Sequence, residues 1–438
     1  MANIGIIGGG YSGLTAAYHL AKNGHQVEIL EKGSEVGGLA GGFKIAGTSL
    51  EKTYHHLFKT DTDIIALAQE LGIADKLKWH KSSIEIFYNH RLYPFSTPLD
   101  LLRFSPLGLI SRLRLAFVIL LLRTRTNFAG LIRISAYDWM LKYAGQEAMK
   151  VIWQPLLLGK FSRYYKKISM AWLWARLHTR AKSRKPGESF ERLGYFTGGF
   201  STFTNSLVEK IEALGSKISI NTEVQEIISS KDSVQVKTSI GEKKYDRLIV
   251  TAPSGIFAKM IANQPQAKSD YLKLLNSIDY LSAVVLVFSS NQNIGKSYWY
   301  NINDTSMPFL VFINHTNLID KQEYNGKYIY YIGAYLPLDD SLLKKSDDEI
   351  INLWLTSLQK VFSEFKHEEI IEKHLFRFAY AQHIVTTNYQ ELIPDYKTPL
   401  VNVYLANFSQ IFPEDRGTNY AVREGKKIAD LVAGSQVL

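Results

Sequence analysis

The chain has 438 residues, 46% hydrophobic and 21% charged, with a formal net charge of +10, values typical of a globular protein that buries an extensive core. The absence of cysteine excludes disulfides, thiolate catalysis and Cys-ligated zinc and fits a reducing cytoplasm, and the eleven histidines lack HExxH-like spacing, so no metal site is predicted. The first apolar strand begins at residue 3, without the features of a secretory signal, which predicts a cytoplasmic protein.

The first predicted element is a βαβ unit over residues 4–30, in the sequence IGIIGGGYSGLTAAYHLAKNGHQVEIL. Gly8, Gly10 and Gly13 form a GxGxxG motif after its first strand, and Glu31 follows its second strand directly. The glycines allow a tight turn, close approach of the backbone to a pyrophosphate, and close packing of helix on strand. Glu31 is placed to accept hydrogen bonds from a ribose. The unit therefore predicts a dinucleotide site at the positive end of a helix dipole.

A second glycine pair follows in the sequence GSEVGGLAGGF. Gly37 and Gly38 carry no side chain, so this loop can fold back across the same pyrophosphate. With this loop the chain resembles the FAD-dependent superfamily of amine oxidases, protoporphyrinogen oxidases, phytoene desaturases and UDP-galactopyranose mutases, whose glycine motif is followed by E-K-x-x-x-x-G-G. The resemblance implies bound FAD, with contacts from Gly8, Gly10, Tyr11, Ser12, Gly13, Glu31, Lys32, Gly37, Gly38, Leu39 and Ala40.

The sequence YHHLFKT at residues 54–60 resembles the family segment G-P-H-I-F-H-T, which brings a histidine towards the isoalloxazine. His56 takes the matching position. The resemblance implies that His56 lies beside the flavin as a polar or proton-handling group. Without that resemblance, a histidine pair at this place would be equally consistent with a surface loop.

Residues 101–187 hold most of the positive charge, with 17 lysines and arginines against two acids, Asp138 and Glu147. The first inserted segment, residues 86–194, is predicted to be helical, and its uncharged stretch at residues 115–122 is too short to cross a bilayer. Three interpretations remain open: a helical core with a basic outer face, a dock on an anionic membrane surface, or a site for an anionic substrate such as a diphosphate. Nothing in it resembles a nucleic-acid-binding module.

The middle of the chain is predicted to return to the dinucleotide domain. Residues 195–265 indicate a glycine turn, a helix that ends at Leu214, and strands around Thr222 and Val224, followed by a hairpin over residues 233–240. The resemblance implies that the strand bearing Val224 lies against the adenine.

The C-terminal segment indicates a strand over residues 401–406 and an amphipathic helix that starts near Thr418. The resemblance implies that this helix points its N-terminus at the flavin pyrimidine ring, where its dipole favours the negative charge of the reduced ring. Gly417, Thr418 and Asn419 would supply the N–H groups. Asn407 stands where the family has an acid, and its amide is expected to bind a ribityl hydroxyl.

These elements predict an α/β protein in which a Rossmann-like FAD-binding domain of the glutathione-reductase type is interleaved with an α+β substrate domain. Long aromatic strands in the second half of the substrate domain indicate a sheet with helices against one face. The predicted FAD-binding domain comprises residues 1–85, 195–265 and 385–438. The predicted substrate domain comprises residues 86–194 and 266–384.

Three functions are consistent with this interpretation. The first is a FAD-dependent oxidoreductase of oxidase or desaturase type that moves a hydride between flavin N5 and a hydrophobic or membrane-delivered substrate, with His56 beside the flavin and Tyr380 in the cavity wall. The second is a redox-neutral sugar-nucleotide mutase that clamps a diphosphate through Arg163, Arg176 or Arg180. The third is a non-catalytic isoprenoid-binding protein. The first predicts a cytoplasmic protein with peripheral contact at the inner face of the membrane.

Overall fold

The computed structural model describes residues 1–184, 188 and 190–434. In chain order its strands are β1 (Asn3–Ile7), β2 (Gln26–Leu30), β3 (Gly42–Ile45), β4 (Thr48–Glu51), β5 (Leu77–Lys81), β6 (Ile84–Tyr88), β7 (Arg91–Pro94), β8 (Arg192–Phe196), β9 (Lys217–Ser219), β10 (Val224–Ser229), β11 (Val234–Thr238), β12 (Gly241–Tyr245), β13 (Arg247–Val250), β14 (Tyr280–Ser290), β15 (Trp299–Ile302), β16 (Val311–Asn314), β17 (Tyr328–Pro337), β18 (Ile370–His383) and β19 (Val403–Leu405).

The α-helices occupy both ends of the chain and a long block between them. They are α1 (Tyr11–Lys22), α2 (Thr62–Glu70), α3 (Pro98–Arg103), α4 (Leu109–Thr124), α5 (Ala136–Ala144), α6 (Gln146–Ala148), α7 (Gln154–Phe161), α8 (Met170–Ser183), α9 (Phe200–Ala213), α10 (Ser254–Met260), α11 (Ser269–Asn276), α12 (Asp347–Leu358) and α13 (Thr418–Ala433). Within the described residues, no helix combines the length and apolar character needed to cross a membrane.

A parallel five-stranded sheet joins distant parts of the chain, in the order β19-β13-β1-β2-β9. Helices α1 and α13 pack together so closely that a Cβ added to Gly425 would lie 2.4 Å from the Ser12 carbonyl oxygen. The strands are almost continuously apolar, as expected for a parallel sheet that is covered by helices. The architecture confirms the predicted α/β fold.

The second large sheet has seven strands, in the order β18-β14-β17-β16-β15-β6-β7. All eleven residues of β14 are buried, and α12 covers one face with Trp354, which is fully buried. A capping box between Ser346 and Glu349 begins α12, as its sequence predicts. This sheet forms the apolar frame against which the helices of the basic segment stand.

The prediction that the first inserted segment is helical was wrong at its two ends. β6 and β7 form a hairpin that joins the seven-stranded sheet, and β8 pairs with β5. The hairpin turns through Asn89 and His90, both with positive φ, a conformation that matches the twist of paired strands. Between these strands, α3–α8 pack around their own core, which includes Trp153, Phe161 and Trp172.

Glu51, at the end of β4, is a buried carboxyl group with an exposed fraction of only 1%. Its carboxylate accepts hydrogen bonds from the Tyr195 hydroxyl, at 2.7 Å, and from the Phe200 backbone N–H. Burial raises the pKa of Glu51 to about 7, and the hydrogen bonds only partly offset that effect. Glu51 therefore takes up a proton on folding in mildly acidic solution.

The raised pKa of Glu51 has a definite sign for stability. Between its ordinary value of 4.5 and about 7, the folded state holds a proton that the unfolded state has released, so stability falls as pH rises through this range. Between pH 5 and pH 7.5 this group should account for a decrease in the free energy of unfolding on the order of 2–3 kcal/mol. We expect the Glu51→Gln variant to lack that decrease, and thermal melting across the same pH range measures it. Glu223→Gln changes an exposed carboxyl group and should leave the slope as it is in the wild type. Equal slopes for both variants would contradict the expectation.

Candidate active site

The turn between β1 and α1 needs glycine for two different reasons. A Cβ on Gly8, where φ is +105°, would lie 2.4 Å from Thr251 Oγ1, and a Cβ on Gly13 would lie 2.0 Å from the Gly8 carbonyl oxygen. Gly10 has an ordinary extended conformation, and the nearest atom to an added Cβ is Gly38 Cα at 4.0 Å. Gly8 and Gly13 are thus required by the fold, whereas Gly10 keeps open the space beside the backbone.

The second glycine loop lies directly against the first. The Gly37 N–H donates to the Gly9 carbonyl oxygen at 2.8 Å, and Gly37 and Gly38 both have positive φ. A Cβ on Gly38 would approach Gly10 Cα to 3.2 Å. The two loops therefore form a notch without side chains in front of α1, whose N-terminus has no side-chain cap. A notch of this kind, at the positive end of a helix, fits a pyrophosphate.

Glu31 is held at the end of β2 by both of its carboxylate oxygens. Oε2 accepts from the Gly9 N–H and Oε1 from the Gly33 N–H, each at 2.7 Å. Since a carboxylate oxygen has two lone pairs, each keeps one for a ligand hydroxyl. The backbone of Glu31 also pairs with Ser219 and Thr222, which brings the start of β10, at Val224, to the same end of the sheet.

The other residues that were predicted to contact FAD near the notch differ in their burial and orientation. The Tyr11 side chain is buried and its hydroxyl bonds Thr204 at 3.1 Å, so only the Tyr11 backbone can face a cofactor. Ser12 is partly buried, and its carbonyl oxygen faces α13. Lys32 is exposed and Ala40 is buried. Leu39 lies at the edge of the main cavity.

That cavity lies beside the seven-stranded sheet and holds about 1470 Å³ of empty space, its open mouth included. Its wall is shared by the segment containing His55 and His56, by α7 and α8, by the seven-stranded sheet, and by residues 415–420. Parts of both predicted domains thus meet at a single space, large enough for an aromatic ring system and a second molecule.

His56 faces this cavity, and its Nδ1 lies 3.1 Å from the Tyr298 hydroxyl. Burial, together with the positive charge of the nearby Arg180, lowers the pKa of His56 to about 3. His55 also lines the cavity, bonds the Thr53 carbonyl oxygen at 2.8 Å through Nδ1, and has a pKa lowered by burial to about 4. Both imidazoles are therefore neutral near pH 7.

The N-terminus of α13 opens into the same cavity and has no side-chain cap. Gly417, Thr418 and Asn419 all line the cavity, and the first N–H groups of a helix have no acceptor within it. The Asn419 side chain is already used, because its Oδ1 accepts from the N–H groups of Asp63 and Ile64 and so caps α2. The backbone N–H groups and the helix dipole thus remain available to an electron-rich ring edge.

Three residues that were expected at the site have other roles, namely Asn407, Tyr380 and Arg163. The Asn407 amide donates to the Ala252 carbonyl oxygen at 2.8 Å and accepts from the Ser409 N–H at 2.9 Å, so this side chain is a local cap instead of a ribityl contact. Tyr380 packs edge-on against Tyr280. Its neighbour Ala381 lines the cavity in its place, because successive strand residues point to opposite faces.

Arg163, expected to clamp a diphosphate, lies on the surface and pairs with Asp339 at 2.9 Å. Arg176 and Arg180 do line the cavity, together with Lys160 and Arg416, which the sequence did not single out. Arg176 and Arg180 lie one turn apart on α8, a spacing that places both on one helix face. The i, i+4 spacing was the signal for that pair, whereas Lys160 and Arg416 come from distant segments.

The residues present fit FAD. The notch at Gly10 and Gly38 has room for a pyrophosphate, Glu31 keeps free acceptors for a ribose, and the uncapped α13 faces the cavity where the flavin ring would lie. Among the described residues, no cluster of histidines and carboxylates is arranged to hold a metal.

Comparison with protein-family models matches residues 11–433 to flavin containing amine oxidoreductases. The coproporphyrinogen III oxidase of Staphylococcus aureus is 25% identical over 65% of this chain and 67% of its own length. The 15-cis-phytoene desaturase of Glycine max is 22% identical over 92% of this chain and 74% of its own. Reduced UDP-galactopyranose mutase matches with a TM-score of 0.77 at 15% identity, covering 99% of this chain and 96% of that one. The chain thus belongs to the flavin containing amine oxidoreductase family and is a FAD-dependent oxidoreductase.

Proposed function

We propose that this enzyme removes a hydride from an organic substrate bound in the cavity, in a reaction of oxidase or desaturase type. When bound, FAD supplies the hydride acceptor, its N5 atom. The observation that carries the proposal is that one cavity is lined by Leu39, which follows the glycine notch directly in the chain, by His56, by the uncapped N-terminus of α13 and by residues of the predicted substrate domain. The relatives named above include an oxidase and a desaturase, and both names describe the removal of hydrogen from a substrate.

The chain's own residues have separate tasks in this reaction. The N–H groups at Gly417–Asn419 would hold the pyrimidine edge of a bound flavin, and the dipole of α13 would favour negative charge there. With the Tyr298 hydroxyl at its Nδ1, neutral His56 leaves Nε2 for the cavity, where it can exchange a proton with the substrate.

Anaerobic mixing of the oxidised, FAD-loaded protein with candidate substrates tests this proposal. A true substrate should bleach the visible flavin band in a single turnover, and His56→Gln should slow the bleaching without loss of bound flavin. His374→Gln, at a half-exposed histidine on β18, is the matched control. A substrate that is converted while the flavin stays oxidised would contradict hydride transfer.

The redox-neutral mutase is the second candidate, because Arg176 and Arg180 stand in the cavity where a sugar diphosphate could be bound. It predicts that the reduced enzyme converts a UDP-sugar without net flow of electrons. The third hypothesis, a non-catalytic isoprenoid-binding protein, has less support because the glycine notch is intact and the family is one of oxidoreductases.

We propose further that α4 docks on an anionic bilayer. Its inner face is buried through Leu115, Val118 and Leu122. The large apolar residues on its outer face are 46–83% exposed, a pattern opposite to that of a helix that packs only on a core. They are Leu109, Ile110, Leu113, Phe117, Leu120 and Leu121. Arginines border this face, among them Arg112, Arg114 and Arg123, and basic charge beside exposed apolar area matches a membrane with anionic headgroups.

Sedimentation with vesicles of phosphatidylglycerol and phosphatidylcholine measures this docking. The double variant Ile110→Glu, Phe117→Glu should bind at least about tenfold more weakly than the wild type, because it places charge where apolar side chains would enter the bilayer. Leu353→Glu, at a 40% exposed leucine on α12, is the control. Equal binding to pure phosphatidylcholine vesicles, or stable dimers that the double variant dissolves, would contradict the membrane surface.

A further inference from the structure

We propose that the substrate cavity selects an apolar molecule that carries at least two carboxylate or phosphate groups. The inference rests on the proposed function, because it names the substrate class of the same cavity. It differs from the hydrophobic substrate that the sequence favoured. Its basis is a cluster of four cations in the cavity wall, called here the cationic wall: Lys160, Arg176, Arg180 and Arg416.

One carboxylate forms ion pairs with residues of the cationic wall. Asp415 Oδ2 lies 2.9 Å from Lys160 Nζ and 2.7 Å from the Arg176 guanidinium. Burial alone would raise the pKa of Asp415, but Lys160 and Arg176 hold it well below its usual range. Asp415 is therefore ionised at neutral pH and compensates a single charge of the four.

Among the described residues, Arg180 and Arg416 have no carboxylate within ion-pair distance, although the charge of the buried Glu191 acts on Arg180 from farther away. Arg180 makes neither an ion pair nor a hydrogen bond there, and its guanidinium lies 5.5 Å from the centre of the Phe58 ring. Arg416 donates one hydrogen bond to the Tyr335 hydroxyl, at 2.8 Å, and its Nε has no partner. A partly buried guanidinium without an anion is costly, and such groups are usually held for a ligand.

The positive charge of the cationic wall acts on the pKa of Tyr335. Burial alone would raise the pKa of this phenol, yet Arg416 and Lys160 lower it below its usual value. Lys160 lies 5.1 Å from the centre of the same ring. Even if a negatively charged reduced flavin compensates one positive charge, the cationic wall keeps an excess of positive charge that a substrate can neutralise.

Another part of the cavity wall is largely apolar. The seven-stranded sheet contributes Ala283, Val285, Val311, Ala334 and the indole of Trp299, with Asn301 and Tyr335 as its polar members. A ligand that fills the cavity therefore meets aliphatic side chains and an aromatic ring at one part of the wall and guanidinium groups at another. An apolar body with anionic substituents satisfies both parts, whereas an amine would be repelled and a neutral polyene would leave the arginines unpaired.

Calorimetric titration of the oxidised, FAD-loaded protein separates these classes. The probes are coproporphyrin III, a tetracarboxylate on an apolar ring, its uncharged tetramethyl ester in the same detergent, UDP-galactose, and putrescine. We expect coproporphyrin III to bind at least about tenfold more tightly than the ester and putrescine. UDP-galactose carries a diphosphate without an apolar ring, so binding of UDP-galactose as tight as that of coproporphyrin III would overturn the apolar part of the proposal.

Variants assign the binding to the cationic wall. Arg180→Gln should weaken binding of the anionic probe by about tenfold or more, whereas Arg180→Lys should retain most of the binding. Added salt should weaken binding to the wild type more than binding to Arg180→Gln. Arg133→Gln, at an exposed arginine paired with Glu391, should bind as the wild type does. Equal affinity for acid and ester in the wild type, or no loss in Arg180→Gln with its flavin bound, would overturn the proposal.

These outcomes are independent of turnover. Tight binding of an anionic probe would support the ligand class whether or not that probe has a hydride to donate, while hydride transfer is tested separately by bleaching of the flavin with a reduced substrate. Reduction of the flavin by an uncharged substrate would support hydride transfer and count against the ligand class.

Discussion

Gly10→Ala should produce a folded protein that has lost most of its FAD. A Cβ at this position meets no atom of the chain closer than 4.0 Å, so the fold can accept it, but it occupies the space in the glycine notch that the pyrophosphate needs. We expect FAD to bind at least about tenfold more weakly, a cost of about 1.4 kcal/mol or more. Flavin content after gel filtration and the thermal midpoint of the apoprotein are the two measurements.

Two further glycine variants are controls for this result. Gly255→Ala adds a Cβ with comparable freedom, 3.9 Å from its nearest neighbour, on a helix that does not touch the notch, so it should bind FAD normally. Gly13→Ala forces a Cβ to within 2.0 Å of the Gly8 carbonyl oxygen and should lower both the flavin content and the thermal midpoint. Normal FAD affinity in Gly10→Ala would mean that the pyrophosphate lies elsewhere.

Asp415→Asn should destabilise the protein by about 2–4 kcal/mol at pH 7, since it leaves Lys160 and Arg176 without their carboxylate inside the cavity wall. The depressed pKa fixes the pH dependence: the stabilisation is complete above the unfolded-state value near 4 and is lost as pH falls through the lower folded-state pKa. The difference between wild type and variant should therefore be constant near neutrality and shrink only in strongly acidic solution. Thermal melting across this range measures it.

Asp339→Asn is the matched control for Asp415→Asn. Asp339 also pairs with an arginine at 2.9 Å, but its side chain is 66% exposed, so its loss should destabilise the protein much less than the loss of Asp415 does. Similar losses in the two variants would show that the position of Asp415 among the buried cations has no special weight.

The local parts of the site could be predicted from the sequence. The βαβ unit, the glycine pairs and the start of α13 each lie within a short stretch whose spacing is fixed by helix or strand geometry. The amphipathic repeat before the C-terminus likewise predicts one helix, and α13 begins at Thr418 as expected. Such features depend on neighbours in the chain, so a single sequence contains them.

Contacts between distant segments could not be predicted in the same way. The hydrogen bond between His56 and Tyr298 joins residues 242 positions apart, and the cationic wall takes Arg416 from the far end of the chain. Nothing local marks either partner. Tyr380 was misplaced because the pairing of β14 with β18 shifts register between Leu281 and Ala283, and a shift of this kind changes which side chains face a cavity.

Asn407 shows a further limit. An amide after a strand is compatible with a ligand contact or with a cap, and both use the same donor and acceptor atoms. Only the positions of Ala252 and Ser409 decide between them, and here they assign the amide to a cap.

The most direct measurement is a crystal structure of the FAD-bound protein. The pyrophosphate should lie between Gly10 and Gly38, the ribose at Glu31, and the flavin ring beside His56 with its pyrimidine edge at the N–H groups of Gly417–Asn419. The cationic wall should face the substrate side of the ring. A flavin ring outside this cavity, or side chains that close the space between His56 and α13, would contradict the assignment of the site and of the reaction that depends on it.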